Sequence, residues 1–314
     1  MLDSIIFSAN AVFPLVILIF FGMLLKTRKK LFADPKAFFG QLERFVFNVA
    51  LPVSIFNEVA QSRVVFNPWL VIYCASAIII LCAALWIATP FIIKDIRARG
   101  AFINGICRPN FVLLGVPLVI SLTGGAGSAA LVLPFMVPLF NIMGAVILAS
   151  HAEEAQDRNI KKILLEVAKN PLIHAVFIGL AFMLAGIRLP GILQSSAGYI
   201  GRTATPLALI SLGAGADLRL LRANIRLSLS AALFKTVVCP VIFVLPAFLF
   251  DFGRDELAVI YVLAAAPSAV ASYIMAKNMR SDADLAGQIL ALTTIICPAT
   301  IFAGSVLLRA AGVL

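Results

Sequence analysis

The chain has 314 residues, 62% hydrophobic and 13% charged, with a mean hydropathy of +1.05; soluble domains carry about 45–50% apolar and about 25% charged residues. That composition is an all-α polytopic membrane protein and excludes a soluble enzyme. The net charge of +10 sits in short basic clusters between apolar stretches, the pattern of membrane loops rather than of a nucleic-acid face.

The first apolar run, 4–25, has no basic start and is too long for a cleavable signal, so it reads as a first membrane helix. A spanning helix needs about 20 mostly apolar residues. Ten stretches meet that measure: 4–25, 40–60, 68–91, 101–122, 128–150, 170–187, 192–214, 226–250, 257–276 and 286–308. The polar run from His151 to Lys162 divides them. The expected organisation is a five-helix repeat over 1–150, a cytoplasmic linker over 151–169, and a second five-helix repeat over 170–314. No stretch is long or polar enough for a separate soluble domain.

With the N-terminus outside, the inner loops hold 17 Lys and Arg residues and the outer segments only Arg63, Arg188, Arg254 and Arg309. That asymmetry predicts both termini outside a cell (inner) membrane. Prolines recur between the halves. Pro14 and Pro171 are 157 residues apart, Pro52 and Pro206 are 154 apart, and Pro117 and Pro267 are 150 apart. Five helices per half is an odd number, so the second half is expected to be inverted, as in transporters whose broken helices meet near the midplane.

The fourth stretch contains CRPNFVLLGVPL, residues 107–118. Ten residues of helix rise about 15 Å, half of a roughly 30 Å core, which places Asn110 and Phe111 near mid-depth. Pro109 and Pro117 lack donors and Gly115 tolerates unusual dihedrals, so the backbone between them is expected to unwind. Open N–H and C=O groups at depth are tolerated only in protein or beside a watery cavity. The ninth stretch offers a counterpart, AAAPSAVASYIMAKN, with Pro267 at similar depth. Crossed broken helices four and nine would aim half-helix N-termini, each partly positive, at one small volume suited to an anion. For one proline alone, a kink in a packed helix is the simpler reading; two at matching depth favour a site.

The fourth run resembles the signature of the auxin efflux carrier family, which includes bacterial organic-acid permeases such as malonate permeases. The ninth-stretch run APSAVASY and the second-stretch run NVALP are also similar to that family. The resemblance covers nearly the whole chain. It implies a crossover fold like that of sodium/proton antiporters and bile-acid transporters, and transport of small carboxylates. Relatives often carry an asparagine four positions after the ninth-helix proline, where this chain has Ala271. The long central loop of plant members is absent here.

Candidate roles follow. The Asn110 amide can donate to a carboxylate or cap the helix break, and the two roles can coexist. Arg108 can attract an anion, or its head can reach back to the inner interface, the reading favoured here. Gly115, Pro117 and Pro267 would shape the crossing. Ser268, Ser272 and Tyr273 can add hydroxyls or simply pack. Asn48, Pro52, Thr205 and Pro206 can brace it, with an interhelical hydrogen bond an equal reading for Asn48, and Asn141 is a similarly ambiguous polar residue in the fifth helix. Lys235 can stand in for a coupling ion, pair with a helix terminus, or reach inward. All 15 acidic residues fall outside the central third of the spans, with Glu58 nearest the membrane, so no carboxylate proton relay is visible.

Five cysteines without metal spacing read as core residues; no metal or organic cofactor is expected, and a coupling proton or sodium ion is left open. The partners expected are a small organic anion and the lipid bilayer, with no nucleic acid and a homodimer left open. A membrane enzyme lacks an HExxH motif or a buried acidic pair. A channel would line continuous helices with polar residues. The reading is therefore a secondary carrier, with a sodium-coupled symporter of the bile-acid type as the alternative.

Overall fold

A computed structural model describes residues 2–28, 31–32, 34–61, 67–125, 127–151, 171–215 and 225–314. Among them the regular structure is helical. Helix α1 is Leu2–Thr27. Helix α2, Pro35–Phe45, passes through a π turn, Val46–Ala50, into α3, Leu51–Gln61. Helix α4 is Pro68–Ile92 and α5 is Ile96–Cys107. After a break, a π turn, Phe111–Gly115, leads into α6, Val116–Thr123. Helix α7 is Gly127–Ser150, α8 is Pro171–Leu184 and α9 is Gly191–Gly215. Helix α10, Ile225–Leu233, joins α11, Cys239–Ala247, through a π turn, Phe234–Val238. Helix α12, Arg254–Ala265, is separated by a second break from α13, Val270–Asn278, and α14 is Ala283–Ala310.

Each apolar stretch picked out by composition is helical over most of its described length; besides the breaks, the sixth ends in a turn after Leu184 and the eighth after Ala247. Among the described residues five rods are long and apolar enough to cross a membrane: α1, α4, α7, α10 continued by α11, and α14. Helix ends carry ordinary start signals. The side chains of Asp34, Asn67, Asp95 and Asp282 each accept a hydrogen bond from a first-turn N–H of the helix that follows. Large apolar side chains such as Ile17, Ile80, Ile87, Phe91 and Leu249 are exposed. In water such a belt would be a liability; in a membrane protein it is the face presented to lipid.

Two close helix crossings hold the scaffold. Helix α1 lies along α9, and α3 along α8. At the first crossing a Cβ on Gly22 would sit 2.0 Å from the Ile210 carbonyl oxygen, and a Cβ on Gly213 would sit 1.9 Å from that of Ile19. Only glycine permits such backbone contact, the small-residue packing of membrane helices. At the second crossing Gly179 lies against Val59 and the Phe56 carbonyl.

His151, the first residue of the expected polar linker, lies in a turn just after α7 and is buried. Its Nδ1 lies 2.8 Å from the Ile147 carbonyl oxygen and its ring packs edge-on against Trp86. The rest of the expected linker, 152–169, lies outside the described residues.

Candidate functional site

The two breaks are built alike. A residue before proline is pushed out of the α region. Arg108, before Pro109, is extended at φ −109° and ψ 91°, and Ala266, before Pro267, has ψ 143°. Each proline also removes a donor, so α5 and α12 stop. The two extended segments then lie antiparallel. The Asn110 N–H donates to the Pro267 carbonyl at 2.7 Å, and the Ala269 N–H donates to the Arg108 carbonyl at 2.9 Å. The Ser268 N–H donates to Thr293 Oγ1 on α14 at 3.1 Å. Backbone groups stranded by one break are thus satisfied largely by the other.

The break is shorter than the sequence suggested. Helix resumes at Phe111, so the chain does not unwind as far as Pro117, which is buried in the first turn of α6. The proline facing the Pro267 segment is Pro109, 158 residues before it. That separation matches the other proline pairs better than the 150 first assigned. Gly115 acts on packing instead. A Cβ there would fall 2.5 Å from the Phe111 ring, so the glycine seats that ring.

A cavity of about 190 Å³ adjoins the crossing. Its floor is the start of both resumed helices, Phe111–Leu113 and Ala269–Ala271. The first N–H groups of a helix have no partner within it and carry partial positive charge. Arg108 and Asn110 stand in the same wall, with Phe140 and Asn141 from α7 and Glu43 and Phe47 from the second stretch.

Arg108 is only 9% exposed, and its guanidinium donates to Asn141 Oδ1 and contacts Met275 Sδ. It is turned into the protein, so the favoured reading that it reaches back to the interface is corrected. Gly144 on α7 leaves the room: a Cβ there would lie 3.2 Å from Arg108 Nη1 and 2.9 Å from Asn104 Oδ1. Asn110 is 4% exposed, its side chain makes no capping bond, and its amide nitrogen is buried without a partner. Its backbone carbonyl, not its amide, receives the Leu114 and Gly115 N–H groups.

The remaining candidates divide. Ser268 is fully buried with its hydroxyl unpartnered. The Ser272 hydroxyl donates to the Asn104 carbonyl at 3.0 Å, and the Asn104 amide donates back to the Ser272 carbonyl at 3.4 Å. That pair ties α5 to α13, away from the cavity lining. Tyr273 is half-buried against the core. Asn48 is exposed and its amide donates to the Arg44 carbonyl one turn back, so it does not brace the crossing. Pro52 follows the π turn in α3, and Thr205 and Pro206 are half-buried in α9, which packs on the Phe111–Gly115 turn. Lys235 is 1% exposed, and its Nζ donates to the Ala264 carbonyl at 2.9 Å. Of its three readings, the pairing with a helix terminus is the one seen: the ammonium meets the negative end of α12.

Sequence reasoning missed Glu43, Asn104 and Gly144. Glu43 lies near the start of its stretch, outside the central third where a buried carboxylate is sought. The available signal was its spacing from Phe47, one turn on, which puts both on one helix face.

Two larger hollows, of about 430 and 410 Å³, lie where α3 ends beside α8 and α9. They flank a chain of amides in which Gln194 donates to Gln61, and Gln61 to Asn57. Those amides are satisfied and largely exposed, whereas the crossover wall holds a buried amide with no partner. Size therefore points to one end of the molecule and unmet polarity to the crossing, and unmet polarity is the better guide to a polar ligand.

Comparison with known proteins agrees with a transport role. A family model described as membrane transport protein matches residues 7–303. A protein of Methanothermobacter thermautotrophicus named an uncharacterized transporter is 23% identical over 294 residues, covering 92% of this chain and 94% of that protein.

Proposed function

This chain belongs to the membrane transport protein family, the auxin efflux carrier family that its fourth stretch resembles, and from that premise we propose that it is a secondary carrier for a small organic anion, a mono- or dicarboxylate. The observation that carries the reading is the Asn110 amide, buried and unpartnered in the wall of a cavity that also holds Arg108 and two helix N-termini. Unpaired buried donors are costly, and a carboxylate would satisfy them. A cavity of about 190 Å³ is smaller than the roughly 300–1,000 Å³ of drug-sized sites, which suits a short acid.

The fold in this reading is ten spans in two inverted repeats. The glycine crossings support it independently of the prolines. Gly22 and Gly179 are 157 residues apart, and the carbonyls they meet, Ile210 and Phe56, are 154 apart. Those are the separations of Pro14 from Pro171 and of Pro52 from Pro206. One contact thus recurs in both halves. Alternating access then moves the bundle around the crossing against the α1, α3, α8 and α9 scaffold. Sodium coupling is the less favoured alternative, because Lys235 already supplies a positive charge at the α12 terminus.

Counterflow in proteoliposomes tests the reading. Vesicles preloaded with acetate, malonate or succinate should accumulate the labelled acid. Loss of one hydrogen bond to a charged group costs about 1.5–3 kcal/mol, so Asn110→Ala should weaken binding by about 10- to 150-fold. Wild-type affinity in that variant, or flux without counterflow, would contradict the proposal.

A further inference from the structure

Glu43 has no part in the reading above, yet among the described residues it is the one carboxylate lining the crossover cavity. It is half-buried, and no ion pair joins it to Arg108 among the described residues; that guanidinium is engaged by Asn141 and Met275. An anion entering this cavity therefore meets a second negative charge, and a like charge nearby favours the protonated acid.

The other groups around Glu43 do not relieve the conflict. The lining residues from α7 and α13, Asn141 and Ala269–Ala271, do not titrate. Helix α9, packed along α2, carries Tyr199 and Arg202, and both line a hollow at the far end of α3. Helix α8 carries His174, which is exposed. On α2 itself Lys36 and Arg44 are exposed, and neither lines the cavity. Arg108 is thus the charged group, among the described residues, that shares the cavity with Glu43.

We propose that Glu43 is the coupling site for a proton, a role that rests on the anion-carrier reading. In this cycle the carboxylate of the empty carrier is ionised, with Arg108 in the same cavity wall. When an organic anion binds, Glu43 takes up one proton from the side to which the cavity opens. Anion and proton cross together and leave together, so a monoanion moves with no net charge. The empty carrier returns with Glu43 ionised again.

The test is the pH dependence of affinity for acetate and succinate, measured by calorimetry on the purified full-length protein. If binding takes up one proton, Kd rises up to tenfold per unit of pH between about pH 6.5 and 8.5, where these acids are ionised. The proposal expects that slope in the wild type and in Arg44→Gln, an exposed control on the same helix. It expects no slope in Glu43→Gln, whose neutral amide mimics the protonated acid. In proteoliposomes an inward proton gradient should accelerate uptake by the wild type and not by Glu43→Gln. A flat wild-type profile, or a slope retained in Glu43→Gln, overturns the proton role while leaving the carrier reading standing. Absence of both binding and counterflow for acetate, malonate and succinate in the wild type overturns the carrier reading, and this proposal with it.

Discussion

Gly144→Ala probes how closely the site depends on the placement of Arg108. The new Cβ would lie 2.9 Å from Asn104 Oδ1, 3.2 Å from Arg108 Nη1 and 3.4 Å from the Met275 methyl. All three atoms are ends of side chains, so they can yield by some tenths of an ångström, but they yield together. Alanine in place of glycine within a helix gains about 0.8–1 kcal/mol. Crowding a packed interior costs about 1–3 kcal/mol. The two terms leave the fold between unchanged and about 2 kcal/mol weaker. Function should suffer more, because the atom pushed is a guanidinium nitrogen at the cavity. Weakening a charge-assisted hydrogen bond by half of its roughly 1.5–3 kcal/mol corresponds to a loss of affinity of about 3- to 15-fold. The control is Gly198→Ala in α9, where a Cβ meets nothing within 4 Å; it should stabilise slightly and leave affinity alone. Thermal unfolding in detergent and calorimetric Kd for succinate, run on both variants, check the pair. If Gly144→Ala behaves like Gly198→Ala, Arg108 is not a ligand-dependent part of the site.

Three further substitutions separate structure from transport. Ser272→Ala removes the hydroxyl that bonds the Asn104 carbonyl, so stability should fall by about 1 kcal/mol with succinate affinity unchanged; a large rise in Kd would return Ser272 to the ligand set. Lys235→Met leaves the Ala264 carbonyl unpaired and should cost about 1–3 kcal/mol, read as lowered thermal stability, whereas Lys235→Gln keeps a donor and should lose less. Gly213→Ala places a Cβ 1.9 Å from the Ile19 carbonyl oxygen, and because backbone must move the cost should reach about 3 kcal/mol, the upper end for overpacking, seen as poor recovery of folded protein.

Much of the architecture was legible because membrane helices announce themselves by length and apolarity, and because proline acts locally. The breaks at Arg108–Asn110 and Ala266–Ala269 follow from two X–Pro pairs and needed no tertiary knowledge. How far the first break extends was not legible. Pro117 looks like a breaker in sequence, but it directly follows a π turn in which the Val116 N–H reaches back to the Phe111 carbonyl, and the helix runs on through it into α6. Arg108 was misread because an isolated helix gives an arginine only lipid or the interface. The acceptor on Asn141 and the space at Gly144 come from α7, more than 30 residues away in sequence. Glu43 was overlooked because depth was judged along its own helix. Cavities are shaped by several helices, and here the wall reaches to the first turns of the second stretch.

The most direct measurement is a structure of the full-length protein in lipid nanodiscs with bound bromosuccinate, located by its bromine signal. The acid should lie between Asn110, Arg108 and the starts of the resumed helices at Phe111 and Val270. Occupancy confined to the larger hollows near Gln61 and Gln194, with the crossover cavity unfilled at saturating acid, would contradict a carrier site at the crossing.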